Sequence, residues 1–117
     1  MGSMKGVLSL TVERRPQGPA ILRIEGSVDL STLKQFEATL QGIADVSYVV
    51  VDLALMSYIS SGGFSLLIKA KTERARQKGD VVLVRPQNSV LNILKILGLM
   101  DLFRIASSVD EALHVRD

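Results

Sequence analysis

Residues 48–65 read Tyr48-Val49-Val50-Val51-Asp52-Leu53-Ala54-Leu55-Met56-Ser57-Tyr58-Ile59-Ser60-Ser61-Gly62-Gly63-Phe64-Ser65. The continuous apolar, β-branched run at 48–53 suits a central strand buried on both faces, typically parallel to a neighbour. Residues 56–60 read as a connection. A helix follows from Ser61 or Gly62 to Gln77, with Phe64, Leu67, Ile68 and the Lys71 stem on one side. Gly79 is the expected stop. Residues 81–85 form a second buried strand, ended by Pro86. A helix over 88–97 is closed by Gly98, residues 102–106 hold a short edge strand, and Ser108 caps a last helix over 109–115.

On the N-terminal side, residues 7–12 alternate, which predicts a half-buried strand with Leu8, Leu10 and Val12 facing the core. Arg15-Pro16-Gln17-Gly18-Pro19 is a turn. Residues 20–25 alternate again with Leu22 and Ile24 inward, so the two strands make an antiparallel hairpin that Gly26 ends. Asp29 or Ser31 caps a helix over about 30–44, whose buried face carries Leu30, Leu33, Phe36, Leu40 and Ile43. The resulting order, β-β-α-β-α-β-α-β-α, predicts an α/β fold. Its sheet is mixed: an opening antiparallel hairpin, the other strands mainly parallel, with about four helices.

The chain has 117 residues, the size of one domain. Residues 4–117 are read as that domain, and Met1-Gly2-Ser3 as a cloning scar. The absence of cysteine removes disulfides, thiol catalysis and thiolate zinc sites, and a single histidine, His114, removes multi-histidine metal centres. No apolar run reaches membrane-spanning length and no signal peptide is visible, so a cytoplasmic location is expected. A net charge of +2 gives no bulk electrostatic case for nucleic acid. The bases are concentrated in residues 69–78 as Lys69, Lys71, Arg74, Arg76 and Lys78, which read as a solvated helix face or as a docking face for an acidic partner. No aromatic side chain is interleaved with them to stack on bases.

Catalytic chemistry is not legible. No phosphate-cradling glycine loop, paired histidines or nucleophile elbow occurs, and no spacing brings Asp29 and Asp52 together as an acid/base pair. Asp52 reads as satisfying backbone groups at its strand end. The expectation is a non-enzyme without cofactor or metal. The segment that stands out is Ser57–Ser65, at the carboxyl end of a parallel strand, where open α/β sheets place ligands. A serine opening a helix is a serviceable N-cap and also a favourable place for a phosphate. The helix over 88–97 is more apolar than one buried stripe needs. It reads as deeper core or as an exposed patch for a dimer, a lipid-facing complex or a second protein.

Over about residues 6–114 the chain resembles STAS domains, specifically the stand-alone anti-sigma-factor antagonists of bacteria. The resemblance is carried by Gly26-Ser27-Val28-Asp29, Tyr48 to Leu53, Ser57-Tyr58-Ile59-Ser60-Ser61-Gly62, Gly79 to Val84, and Val90 to Gly98 with Leu99 and Phe103. It implies that Ser61, directly before the glycine, is phosphorylated by a serine protein kinase that doubles as the anti-sigma factor, with Ser60 and Ser65 as alternative acceptors. It implies a partner-binding surface of Ser27, Asp29, Ile59, Ser60, Gly62, Gly63, Phe64 and Lys69, and a PPM-type serine phosphatase as a further partner. Two positions depart from the pattern: Ile59 stands where the family generally has Asp, and Gly63-Phe64 replaces an apolar-then-glycine pair. The alternative implied role is a non-enzymatic STAS scaffold subunit of a stress-signalling assembly or lipid-transport complex. A homodimer also fits.

Overall fold

The computed structural model of the protein describes residues 7–115; residues 1–3, read above as a cloning scar, lie outside them. The elements are β1 (Leu8–Arg14), β2 (Ala20–Val28), α1 (Leu33–Gly42), β3 (Tyr48–Ile59), α2 (Ser61–Ala75), β4 (Asp80–Val84), α3 (Asn88–Ile96), β5 (Arg104–Ala106) and α4 (Val109–Val115). They build a five-stranded sheet in the order β1-β2-β3-β4-β5. β1 is antiparallel to β2, and the remaining neighbours are parallel. The mixed α/β sheet with four helices is thus as the sequence predicts.

Alternation along the strands sorts the core into two layers. Leu22, Ile24, Val49, Val51, Val81 and Leu83 pack on one face with Phe36 and Leu40 of α1, Phe64 and Leu67 of α2, and Val90 and Leu94 of α3. Ile21, Tyr48, Val50, Val82 and Val84 pack on the other with Ala112, Val109 and Leu113 of α4. The Tyr48 hydroxyl donates to the Ala112 carbonyl at 2.6 Å, so the buried polar tip of that ring is satisfied. This two-sided cover is why the β3 and β4 sequences are continuously apolar.

Four local expectations are corrected. Gly26 does not end β2: the strand runs on to Val28, with Gly26 at φ 108° beside a register shift against β3. β3 runs to Ile59 instead of stopping at Leu53, because it absorbs two extra residues relative to β2, one between Asp52 and Leu55 and one between Met56 and Tyr58. The Asp52 carboxylate accepts from the Ala54 amide at 3.1 Å, inside the first shift, and pairs with Arg85 at 3.2 Å. Asp52 therefore does satisfy backbone, but at a bulge in mid-strand. Val12 is not a core residue but exposed, because β1 is an edge strand and Val12 lies outside the packed cluster that holds Leu8 and Leu10. α1 begins at Leu33, three residues later than expected, and this leaves Leu30 in the preceding loop.

The end of α2 also differs. Lys78, not Gly79, takes the left-handed conformation at φ 60°. Gly79 is required for a different reason: a Cβ there would lie 1.8 Å from the Ser47 carbonyl oxygen. That carbonyl accepts the Asp80 amide at 2.9 Å, so the close approach locks the start of β4 to the segment entering β3. Gly79→Ala is expected to cost about 2–3 kcal/mol or more by overpacking against backbone that cannot yield. Urea unfolding should show a lower midpoint at unchanged slope.

Candidate functional site

Val28 and Ile59 are register partners at the carboxyl ends of β2 and β3. The Ser60 amide donates to the Val28 carbonyl at 2.8 Å, extending the pairing by one bond. The loop 29–32 and the first turn of α2 therefore leave from adjacent points. Their side chains also meet, since the space beside Gly62 is occupied by Leu33 Cδ2, 3.2 Å from where a Cβ would stand.

Ser60, in extended backbone, is the N-cap of α2, and its hydroxyl accepts from the Gly63 amide at 3.2 Å. One orphan donor of the first turn is thereby satisfied. Ser61 is the first helical residue; its side chain is exposed and makes no hydrogen bond with another described residue. The two readings of a serine at this point are thus divided between neighbours: Ser60 caps, and the Ser61 hydroxyl is uncommitted. Ser65 is exposed one turn further on, and Ser61, Ser65 and Lys69 recur at the four-residue spacing that places them along one exposed side of α2. No acidic side chain lies in the first turn.

The loop beside it is tightly bonded. Asp29 Oδ1 accepts from the Ser31 hydroxyl at 2.7 Å, the Ser31 amide at 2.9 Å and the Thr32 amide at 3.2 Å. Thr32 Oγ1 accepts from the Asp29 amide at 2.9 Å and donates to the Ser27 carbonyl at 2.8 Å. Hydrogen bonds to the ionised form, that of the Ser31 hydroxyl foremost, hold the Asp29 carboxyl below the usual carboxylate range. Asp29 thus serves the turn ahead of α1, while Thr32, the residue at the N-cap of α1, makes no side-chain cap bond there. Thr32 escaped the sequence reading; its signal was an Asp followed two and three residues later by hydroxyl side chains, the composition of a self-bonded turn. Ser57 was noted only as part of the loop. Its hydroxyl donates to the Gly26 carbonyl at 3.2 Å, within the second register shift.

The expected partner surface separates by depth. Ser27, Asp29, Ser60 and Gly62 are half-buried, and Ser61, Ser65 and Lys69 are exposed. Ile59, Gly63 and Phe64 are buried, so they shape the surface from beneath and present no side chain to it. The two departures from the family pattern prove to be one packing unit. A Cβ at residue 63 would stand 2.6 Å from Ile59 Cγ1 and 2.8 Å from Val28 Cγ1. Ile59 fills the volume that Gly63 leaves empty. Asp52 lies seven residues before Ile59 on β3, roughly 20 Å back along the strand at about 3.3 Å per residue, so it is not brought to Asp29.

The basic run is thinner than its composition. Arg74 is 2% exposed and donates to the Ala70 carbonyl at 3.1 Å and to the Ile43 carbonyl, at the end of α1, at 2.7 Å. It caps one helix from inside another, where a cation meets the negative end of the α1 dipole. Burial pushes its pKa down against the opposing charges of Glu73 and Asp45. Lys71 is paired with Asp80. Lys69, Arg76 and Lys78 are the exposed bases that remain. On α3, Val90 and Leu94 are buried in the core, while Ile96 and the C-cap residue Leu97 are exposed. No helix among the described residues is long and apolar enough to cross a membrane.

The family model of the STAS domain matches residues 11–112. A protein of Bordetella bronchiseptica assigned as an anti-sigma factor antagonist, BtrV, is 28% identical over 107 residues, covering 90% of this chain and 91% of that one. The structure of an anti-sigma factor antagonist from Mycobacterium paratuberculosis superimposes with a TM-score of 0.83 at 20% identity, over 95% of this chain and 96% of that one. The anti-sigma factor antagonist SpoIIAA in its unphosphorylated form gives 0.79 at 20% identity, over 92% and 96%. Its phosphorylated form, from Bacillus, gives 0.73 at 18%, over 93% and 100%.

Gly63→Ala should cost about 1–3 kcal/mol through overpacking. Combined with Ile59→Ala, the double variant should lose at least about 1 kcal/mol less than the sum of the singles, as measured by a denaturation double-mutant cycle. For Asp29, NMR titration should find the carboxyl ionising below its usual range, and Ser31→Ala should move it upward. Because the folded pKa is depressed, the stability it contributes is present above the unfolded pKa of about 3.9 and is lost as pH falls through the lowered value.

Proposed function

The chain belongs to the STAS domain family, and on that premise we propose that it is an anti-sigma factor antagonist. In this reading it is a non-enzymatic binding module that holds an anti-sigma factor when Ser61 is unmodified and releases it when Ser61 is phosphorylated. The partner is a serine protein kinase that doubles as the anti-sigma factor, and a PPM-type phosphatase restores the binding form. The setting is the bacterial cytoplasm. The observation that carries the reading is the exposed, uncommitted Ser61 hydroxyl at the first position of α2, next to a serine that already supplies the cap.

A phosphoryl group on Ser61 adds about −1.5 to −2 charges at pH 7. In the free protein it sits at the positive end of a 15-residue helix whose first turn carries no acid, so the modified domain keeps its fold. In a docked complex the same group loses its solvent and meets any acidic side chain that the partner sets against it. Two unit charges about 4 Å apart at an effective dielectric of about 20 repel by about 4 kcal/mol, close to three decades in affinity. Of the three candidate acceptors, Ser61 fits best. Modifying Ser60 would remove the α2 cap, and Ser65 lies a turn away from the orphan amides.

Ser61→Ala is expected to keep partner binding, and Ser61→Asp to weaken it by roughly ten- to a thousand-fold. Intact mass after incubation with the partner kinase and ATP should rise by one phosphoryl group, and Ser61→Ala should abolish that gain. Equal dissociation constants for the two substitutions would exclude the switch.

A further inference from the structure

We infer that Leu30 is a specificity-determining anchor, which seats in an apolar socket of the anti-sigma partner beside the point where that partner meets Ser61. The inference rests on the function proposed above. Leu30 is 90% exposed, more than any other large apolar side chain among the described residues. Helical periodicity would have placed it on the buried face of α1, so this is a position where the local pattern and the fold disagree. Such disagreements tend to mark functional positions.

The exposure is built into the loop. Asp29 Oδ1 gathers the Ser31 hydroxyl and the amides of Ser31 and Thr32, and Thr32 ties the turn back to the Ser27 carbonyl. These bonds flank Leu30 on both sides and hold it outward in the free protein. The ordering entropy that docking would otherwise cost is thus already spent in folding. Nothing among the described residues buries this leucine, and a polar residue would suit an exposed turn better.

The position on the molecule selects the occupant. Leu30 lies two residues beyond Val28 and Ser61 two residues beyond Ile59, and Val28 and Ile59 are paired. Leu33 against Gly62 closes the gap between the two segments. An apolar knob, the carboxylate of Asp29 and the Ser61 hydroxyl are therefore presented together. This arrangement suits a folded protein with an apolar pocket rimmed by donors, into which an apolar side chain on an ordered turn can seat. The tasks then divide: Ser61 determines whether the complex forms, and the fit of Leu30 determines which partner forms it.

The test uses the purified full chain, as wild type, Leu30→Ser and Leu30→Met. Each is titrated in the presence of ADP against purified anti-sigma-type serine kinases encoded by the source genome, one at a time. Leu30→Ser is expected to raise the dissociation constant roughly 10- to 100-fold, mainly through faster dissociation. Leu30→Met should stay within about threefold of wild type, since the socket needs only an apolar chain of similar volume. Both variants should keep the wild-type thermal midpoint. A Leu30→Ser dissociation constant within about twofold of wild type would overturn the inference while leaving the Ser61 switch standing. So would a change confined to self-association in light scattering, which would assign the leucine to a second copy of this chain. Failure of every kinase to bind the wild-type chain would overturn the proposed function, and the Leu30 inference with it.

Discussion

The parallel pairing of Val28 with Ile59, extended by the bond from the Ser60 amide to the Val28 carbonyl, is the constraint from which the candidate site follows. It sets the end of β2 beside the end of β3. The loop that carries Asp29 and the helix that begins at Ser61 then leave the sheet side by side. The loop contributes little core of its own, and the helix is held on the sheet by Phe64 and Leu67, so the placement of the two is inherited from the sheet. This is the usual economy of open α/β folds, in which a rigid ladder positions loops at the carboxyl ends of its strands.

Beneath that edge the packing is specific. Ile59, Val28 and Gly63 share one volume, and a side chain at residue 63 would collide with both of the others. The isoleucine at position 59 is therefore matched by a glycine four residues later. The helix is capped from the chain itself by Ser60, so it needs no carboxylate ahead of it for that purpose.

The bases of α2 show how one stretch of composition divides among different tasks. Arg74 stabilises the end of α1 from within the core, Lys71 pairs with Asp80 at the start of β4, and Lys69 shares the exposed side of the helix with Ser61 and Ser65. A count of positive charges overstates the field available to a partner. Of the exposed bases, Lys69 lies along α2 with Ser61 and Ser65, whereas Arg76 and Lys78 follow the far end of that helix.

The residue pattern alone determined the element order, the mixed sheet, the buried β3 and β4 strands and the serine-glycine segment at a helix start. Each of these follows from local periodicity, from turn chemistry or from a short motif, and these are properties of neighbours in sequence. Tertiary structure alone decided the rest. Two extra residues in β3 carry the strand to Ile59, because the ladder tolerates bulges that periodicity does not encode. Gly79 and Gly63 are glycines because of atoms far away or across a turn: Ser47 for one, Val28 and Ile59 for the other. Leu30 faces solvent and Arg74 faces the core, against their residue types. A turn network starts the helix late in the first case, and in the second the end of another helix supplies the acceptors. Side-chain type records what a residue prefers in isolation. Burial and pairing depend on which distant groups the sheet brings within reach.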